Sequence, residues 1–168
     1  MPLTRLTYVS RLSGNCEGKD IDRILEESRR NNGRSGVTGA LCFDPKFFLQ
    51  CIEGPRDAIN DLYRRIVADP RHEHPVILDY GHNAAAVASI CQLVDRLEVV
   101  GKRICVLAAP GDRRDEDIRA IADEAAGHFG NYICKADDNR RGRAPDEVPE
   151  MLRKQLRERG VLGQHIPV

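Results

Sequence analysis

Hydrophobic and polar positions follow two different periods along the first 80 residues of the chain. The two-residue alternation and short apolar runs typical of β-strands occur at residues 3–10, 37–43, 47–53 and 76–80. Apolar residues spaced three and four apart, typical of amphipathic helices, occur at residues 21–31 and 55–68. The order β-α-β-β-α-β predicts an α+β, ferredoxin-like sheet with two helices on one face. The crevice between such helices is a natural slot for a planar ligand.

The rest of the chain predicts an extension of that domain. Residues 102–109 have a strand pattern, residues 116–128 and 147–159 have helical patterns, and residues 136–144 are polar and basic, as in a linker. We therefore expect a domain over residues 1–95 and a C-terminal strand and helical extension over residues 96–168, serving output or oligomerisation. The last helix has an apolar stripe, which we expect to cover the free face of the sheet or a second subunit: Val148, Met151, Leu152 and Leu156.

Composition narrows the class of protein. The 168 residues carry 26 basic and 26 acidic side chains, so there is no general electrostatic case for nucleic-acid or membrane binding. No apolar run reaches the length of a membrane-spanning helix, and the first residues are unlike a signal peptide, so we expect a cytoplasmic protein. The six cysteines have mostly apolar neighbours and no C-x-x-C spacing, which favours small buried side chains over disulfides or a metal site.

Two adjacent amides stand out on the first predicted helix. Ile21, Ile24 and Leu25 form its apolar face, and the same face continues through Ser28 to Asn31 and Asn32. Polar groups on a core-facing stripe cost free energy unless something bonds them, and a flat ligand with carbonyl and N–H edges would do so. The alternative is a C-terminal helix cap, because Asn and Gly commonly end helices.

Further polar residues point towards the same crevice. Tyr8 lies on the first strand, Gln50 lies between two large apolar residues of one strand face, and Arg65 and Asp69 are four residues apart on the second helix. Each also has an ordinary interpretation. Tyr8 could be a core aromatic, Gln50 an amide on a solvent-facing sheet surface, and Arg65 and Asp69 a surface ion pair that adds little to stability. Their convergence on one crevice favours a binding site.

The chain resembles the BLUF domain, a blue-light sensor that binds flavin. The motifs that carry the resemblance cover about residues 3–80 and occur, in the family's order and spacing, at residues 6–10, 20–25, 28–32, 36–39, 48–54, 62–66 and 69–72. The length of the remaining chain suggests a short, stand-alone type. The resemblance implies a sensor rather than an enzyme, whose signal passes to a protein partner of unknown identity, and we expect a homo-oligomer.

The resemblance also implies roles for individual residues. Noncovalently bound flavin, FAD or FMN, would take an electron and a proton from Tyr8, and the Gln50 amide would rearrange and strengthen a hydrogen bond to the flavin, shifting its absorption to the red. The other implied flavin-binding residues are Asn31 and Asn32 at the polar edge of the ring, Ile24 and Ser28 along the ring, and Arg65, Asp69 and His72 at its far edge or ribityl chain.

One segment departs from the family. The family's last strand carries an Arg-x-Phe-x-x-Trp-x-Met pattern, and the aligned residues are Ala86, Ala88, Cys91 and Leu93. The competing hypothesis is therefore a BLUF-like scaffold that has lost its light response and acts as an interaction or redox-sensing module through its cysteines. No nucleophile–base pair or metal motif favours an enzyme.

Overall fold

The computed structural model describes residues 3–14, 18–97, 99, 101–162 and 166–167. The chain divides into two compact units, residues 1–79 and residues 80–168. The sequence analysis placed the boundary at residue 95, whereas residues 80–95 belong to the second unit of the structure. Each unit is described by itself below.

The first unit is a four-stranded antiparallel sheet with two helices. Its elements are β1 (Leu3–Leu12), α1 (Gly18–Ser35), β2 (Thr38–Phe43), β3 (Phe47–Pro55), α2 (Arg56–Ala68) and β4 (His72–Leu78). The strands lie in the order β2-β3-β1-β4. The predicted order of elements and the ferredoxin-like fold are confirmed.

Side chains of the two central strands, β1 and β3, alternate between a buried and a more exposed face of the sheet. Leu6, Tyr8 and Ser10 of β1 are buried, as are Phe48 and Ile52 of β3, because successive side chains of a strand point to opposite faces. Helix α2 packs on this face through buried positions at helical spacing, Ile59 and Tyr63. The interior of the first unit therefore lies between the sheet and its helices.

Helix α1 is longer than its apolar pattern predicts. It continues four residues past Asn31 and ends at Ser35, and Gly36 follows with a φ of 66°. This left-handed conformation suits glycine and terminates helices. The glycine that ends the helix is therefore Gly36, and the interpretation of Asn31 and Asn32 as a C-terminal cap is wrong.

The opposite face of the sheet carries exposed apolar side chains. Phe47, Leu49, Val76 and Leu78 keep between 42 and 50% of their surface accessible. Among the described residues of the first unit, helix α2 packs on the other face, where Tyr63 contacts Tyr8. The sequence analysis expected the last helix of the chain to cover either this surface or a second subunit.

The second unit has a three-stranded parallel sheet and three helices. Its elements are α3 (Ala84–Arg96), β5 (Ile104–Leu107), α4 (Asp115–Ala125), β6 (Asn131–Cys134), α5 (Glu147–Glu158) and β7 (Ile166–Pro167). The strands are hydrogen-bonded in the order β5-β6-β7. The predicted strand and two helices are present, whereas the parallel sheet was not predicted.

Two sequence-based expectations for this unit are wrong. Residues 86–93, which were aligned with the family's last strand, lie in helix α3, and the Asn83 side chain caps its start by accepting from the Ala86 N–H. The stripe of α5 is buried within the second unit: Val148, Leu152 and Leu156 pack in one cluster with α4 and β6. Parallel strands need helical cover, and α5 supplies it to its own sheet.

No helix among the described residues is both long and apolar enough to cross a membrane.

Candidate functional site

A buried hydrogen bond joins the central strands of the first unit. Tyr8 and Gln50 are paired across β1 and β3, and Tyr8 Oη donates to Gln50 Oε1 at 2.5 Å. Tyr8 is fully buried and Gln50 is half-buried. The same carboxamide also has an N–H₂ group, for which the described residues supply no partner. The two residues singled out in the sequence are therefore in direct contact.

The surroundings keep the Tyr8 phenol protonated. Burial is the main cause that raises its pKa, and Tyr63 and Asp69 raise it further. Tyr63, on α2, contacts it edge-to-face with ring centroids 5.3 Å apart, and burial raises the pKa of Tyr63 to about 12. Tyr8 is thus a neutral proton donor in an apolar environment, held by one acceptor.

His72 lies beside this pair at the start of β4. Its Nδ1 is 2.7 Å from the buried Ser10 Oγ, and its ring is 4.6 Å from Phe48 and 6.0 Å from Tyr8, centroid to centroid. Burial lowers the pKa of His72, with Asp69 opposing that effect and Arg71 adding to it. The sequence-predicted residue His72 is therefore placed next to Tyr8 as a neutral imidazole, and Ser10 was missed.

An aspartate–arginine pair adjoins His72. Arg71 donates to both carboxylate oxygens of Asp69, with a closest distance of 2.5 Å, and this contact holds the pKa of Asp69 below its usual range. Of the two alternatives for Arg65 and Asp69, a mutual pair or contacts with a ligand, the mutual pair is not formed: Arg65 is exposed and donates to the Asp61 carbonyl instead.

Arg71 carries an unsatisfied donor. Its Nη1 is the single buried side-chain nitrogen or oxygen of the described residues without a hydrogen-bond partner. A buried unpaired charged donor is costly, so this atom indicates a missing acceptor. Sequence reasoning missed Arg71, although its position between the predicted residues Asp69 and His72 could have drawn attention to it.

The predicted residues of α1 share one half-buried face. Ile24, Ser28, Asn31 and Asn32 recur at helical spacing, and all four are partly accessible. The hydrogen bonds recorded for Asn31 and Asn32 outside the helix ladder use only their main-chain carbonyls, so within the described residues their side-chain amides have no partner. Asparagine is also a poor residue for a helix interior, which favours a binding role for the two amides.

These groups together suit a planar, polar-edged ligand. Arg71 is within electrostatic reach of Asp20 and Glu27 on α1, both of which raise its pKa. Carbonyl and N–H edges of a flavin would pair with the free amides, and a carbonyl or phosphate oxygen would pair with Arg71 Nη1. The residues present therefore fit a flavin.

The second unit has a basic loop at the carboxyl ends of its parallel strands. The segment after β6 lines a surface hollow with residues 138–143. Arg143 is bonded to the loop after β5 through the Gly111 carbonyl, and Arg141 pairs with Asp112. Arg140 is exposed, and its guanidinium has no partner among the described residues. Open α/β sheets bind ligands at this edge.

No group of three or more metal-ligating side chains lies together in the part of the chain that the structure describes.

Comparison with known protein families gives two matches. Residues 3–86 match the family described as sensors of blue light using FAD (BLUF). Residues 65–166 match the family described as Mur ligase, glutamate ligase domain. The second match includes the loops after β5 and β6, for which the sequence analysis expected only an extension.

Individual relatives reflect both matches. The photoactivated adenylate cyclase subunit beta of Euglena gracilis is 40% identical over 70 residues, 42% of this chain and 8% of that protein. The cyanophycin synthetase of Crocosphaera subtropica is 35% identical over 80 residues, 48% of this chain and 9% of that protein. The solved dark-state structure of BlrB, a BLUF protein, is 44% identical, covers 46% of this chain and 58% of its own, and has a TM-score of 0.44. The chain thus spans under a tenth of these two curated relatives.

Proposed function

The chain belongs to the BLUF family through residues 3–86 and to the Mur ligase glutamate ligase domain family through residues 65–166, and from this premise we propose that its first unit is a blue-light sensor that switches through Tyr8 and Gln50. The observation that carries the proposal is the buried 2.5 Å hydrogen bond from Tyr8 Oη to Gln50 Oε1. Bound flavin supplies the absorption of blue light and accepts an electron and a proton from a nearby phenol.

The two strand residues have complementary parts in this switch. Tyr8 holds its proton in the dark because burial disfavours the phenolate. Gln50 accepts from Tyr8 with one end of its carboxamide and keeps its N–H₂ end for the ligand. When the Tyr8 proton moves, this amide loses the donor that orients it and rearranges. Because hydrogen bonds inside a protein are electrostatically stronger than in water, a changed hydrogen bond to the chromophore has a large effect on its absorption.

The remaining residues bind and orient the flavin. Asn31 and Asn32 donate and accept at its polar edge, while Ile24 and Ser28 line the ring. Arg71 Nη1 donates to a carbonyl or phosphate oxygen, and Asp69 holds the guanidinium in place. FAD is the expected form, since the family is described by it. The signal passes to a protein partner.

Absorption spectroscopy of the purified full chain tests this proposal. We expect noncovalently bound flavin, released by denaturation, and a small reversible red shift under blue light that decays in the dark. A protein that stays colourless after incubation with FAD would contradict the proposal and favour the competing hypothesis of a scaffold without a light response.

The redox form of that competing hypothesis has little support from the thiols of the second unit. Burial raises the pKa of Cys91 and Cys134 to about 11 and that of Cys105 to about 12. Thiolates are the reactive species in thiol oxidation, so these three side chains are poor sensors at neutral pH.

For the second unit we propose binding of an acidic amino acid, because its family is described as a glutamate ligase domain. The observation that favours this is the unpartnered guanidinium of Arg140, exposed beside the loop after β5. Arg143 and Arg141 anchor the loop through Gly111 and Asp112. Guanidinium groups recognise carboxylates through paired, charge-assisted hydrogen bonds.

Titration of the chain with L-glutamate, followed by NMR shifts of the residues at this loop, tests the second proposal. Arg140→Ala is expected to weaken binding by about 1.5–3 kcal/mol, or about ten- to hundredfold. Arg157→Ala, an exposed arginine on α5, is the matched control and is expected to bind as the parent does. Equal binding by the Arg140 variant, or no shifts at all, would contradict it.

A further inference from the structure

We propose that Ser10 is a positioning residue that fixes His72 as the neutral tautomer with its proton on Nε2, beside Tyr8. This inference rests on the proposed function of the first unit, because it concerns the same site. It assigns a part to a side chain that the family resemblance did not single out.

The Ser10 hydroxyl has one hydrogen-bond partner among the described residues, the His72 imidazole. The Ser10 side chain is 1% exposed, and its Oγ is 2.7 Å from His72 Nδ1. It lies two residues after Tyr8 on the same face of β1, so both side chains point into the interior of the first unit. His72 in turn packs against the Phe48 ring. The imidazole is therefore held on one side by β1 and on another by β3.

The number of available protons determines which atom donates in the hydrogen bond between Ser10 and His72. A serine hydroxyl has one proton to donate, and a buried donor without an acceptor is costly. If Nδ1–H donated to Ser10 Oγ, the hydroxyl proton would have no acceptor among the described residues. If Ser10 Oγ–H donates to Nδ1, both atoms are satisfied. A neutral imidazole that accepts at Nδ1 carries its proton on Nε2.

The charged neighbours agree with a neutral ring. Asp69 favours and Arg71 disfavours the protonated imidazole, and these two already neutralise each other as an ion pair. The buried titratable side chains of the packed elements β1 and α2 are Tyr8 and Tyr63, which are both protonated phenols. Removal of the Ser10 donor should therefore free Nδ1 to take a proton, and His72 should become cationic at a higher pH.

The test is ¹⁵N NMR of the His72 imidazole in the full chain, in the dark, with and without added FAD. We expect Nδ1 to show the shift of an unprotonated acceptor and Nε2 that of a protonated nitrogen. In Ser10→Ala we expect mixed tautomers and a pH titration that begins at a higher pH. Ser10→Thr, which keeps the hydroxyl, should restore the parent spectrum and titration.

Exposed His74 on the same strand is the internal control, and its imidazole ¹⁵N signals should be the same in all three proteins at a given pH. A proton on Nδ1 in the parent, or an unchanged titration in Ser10→Ala, would overturn the inference. If Ser10→Ala does not fold, the parent spectrum alone decides the tautomer. The measurement does not need bound flavin. A protein that fails to bind FAD would therefore refute the proposed function, while the His72 tautomer could still be determined.

Discussion

Tyr8→Phe is expected to abolish the light-induced red shift while leaving flavin bound. The substitution keeps the aromatic ring and removes the hydroxyl that donates to Gln50 Oε1. Loss of one such hydrogen bond costs about 0.5–1.5 kcal/mol of stability, which a folded domain tolerates, whereas the electron and proton source is lost outright. The measurement is the absorption difference between irradiated and dark protein at equal flavin occupancy.

A matched variant separates chemistry from packing. Tyr63→Phe makes the same change in a buried ring 5.3 Å from Tyr8, and it should keep the red shift. Gln50→Leu removes the rearranging amide and should behave as Tyr8→Phe does. A normal shift in Tyr8→Phe or Gln50→Leu would mean that this hydrogen bond is not the switch.

The second large effect is expected at Asn31 and Asn32. Each amide, if removed, leaves a buried polar group of the flavin unpaired at a cost of about 1–3 kcal/mol. Asn31→Ala/Asn32→Ala should therefore weaken FAD binding by at least about fivefold, and by about thirtyfold or more if the two losses add. Fluorescence titration of the apoprotein with FAD measures the change.

The thermal stability of the apoprotein shows whether a loss of FAD binding by this variant comes from unfolding. Alanine is a better residue for a helix interior than asparagine, so the flavin-free variant should be at least as stable as the parent. Arg29→Ala/Arg30→Ala, on the exposed side of the same helix, is the control and should bind FAD normally. Unchanged affinity in the asparagine variant would show that α1 does not bind the flavin edge.

The fold of the first unit could be predicted from the sequence because its strands and helices have clean periods. The site was predicted less completely. Tyr8 and Gln50 stand out as polar residues on apolar strand faces, and the structure joins them. Ser10 and Arg71 do not stand out, since a small hydroxyl and a surface-type cation acquire meaning only when burial and missing partners are known.

The second unit could not be predicted as well, for a physical reason. Strands β5 and β6 are four residues each, and a short apolar run does not distinguish a parallel strand from other buried segments. The resemblance to one family also led residues 86–93 to be aligned with a strand. The alanines at 84–86 and 88 favour instead the helix that the structure contains. The stripe of α5 was read correctly as apolar, but its burial partner lies within its own unit.

The distribution of thiols has a practical consequence for spectroscopy. Among the described cysteines, Cys91, Cys105 and Cys134 are largely un-ionised at neutral pH, so alkylating dyes and spin labels should react first with Cys42, which is exposed on β2. Cys42 is paired with Leu49, whose side chain points away from the face that holds Tyr8 and Gln50. A reporter group attached there would sample the far side of the sensor sheet without entering the space that the chromophore needs.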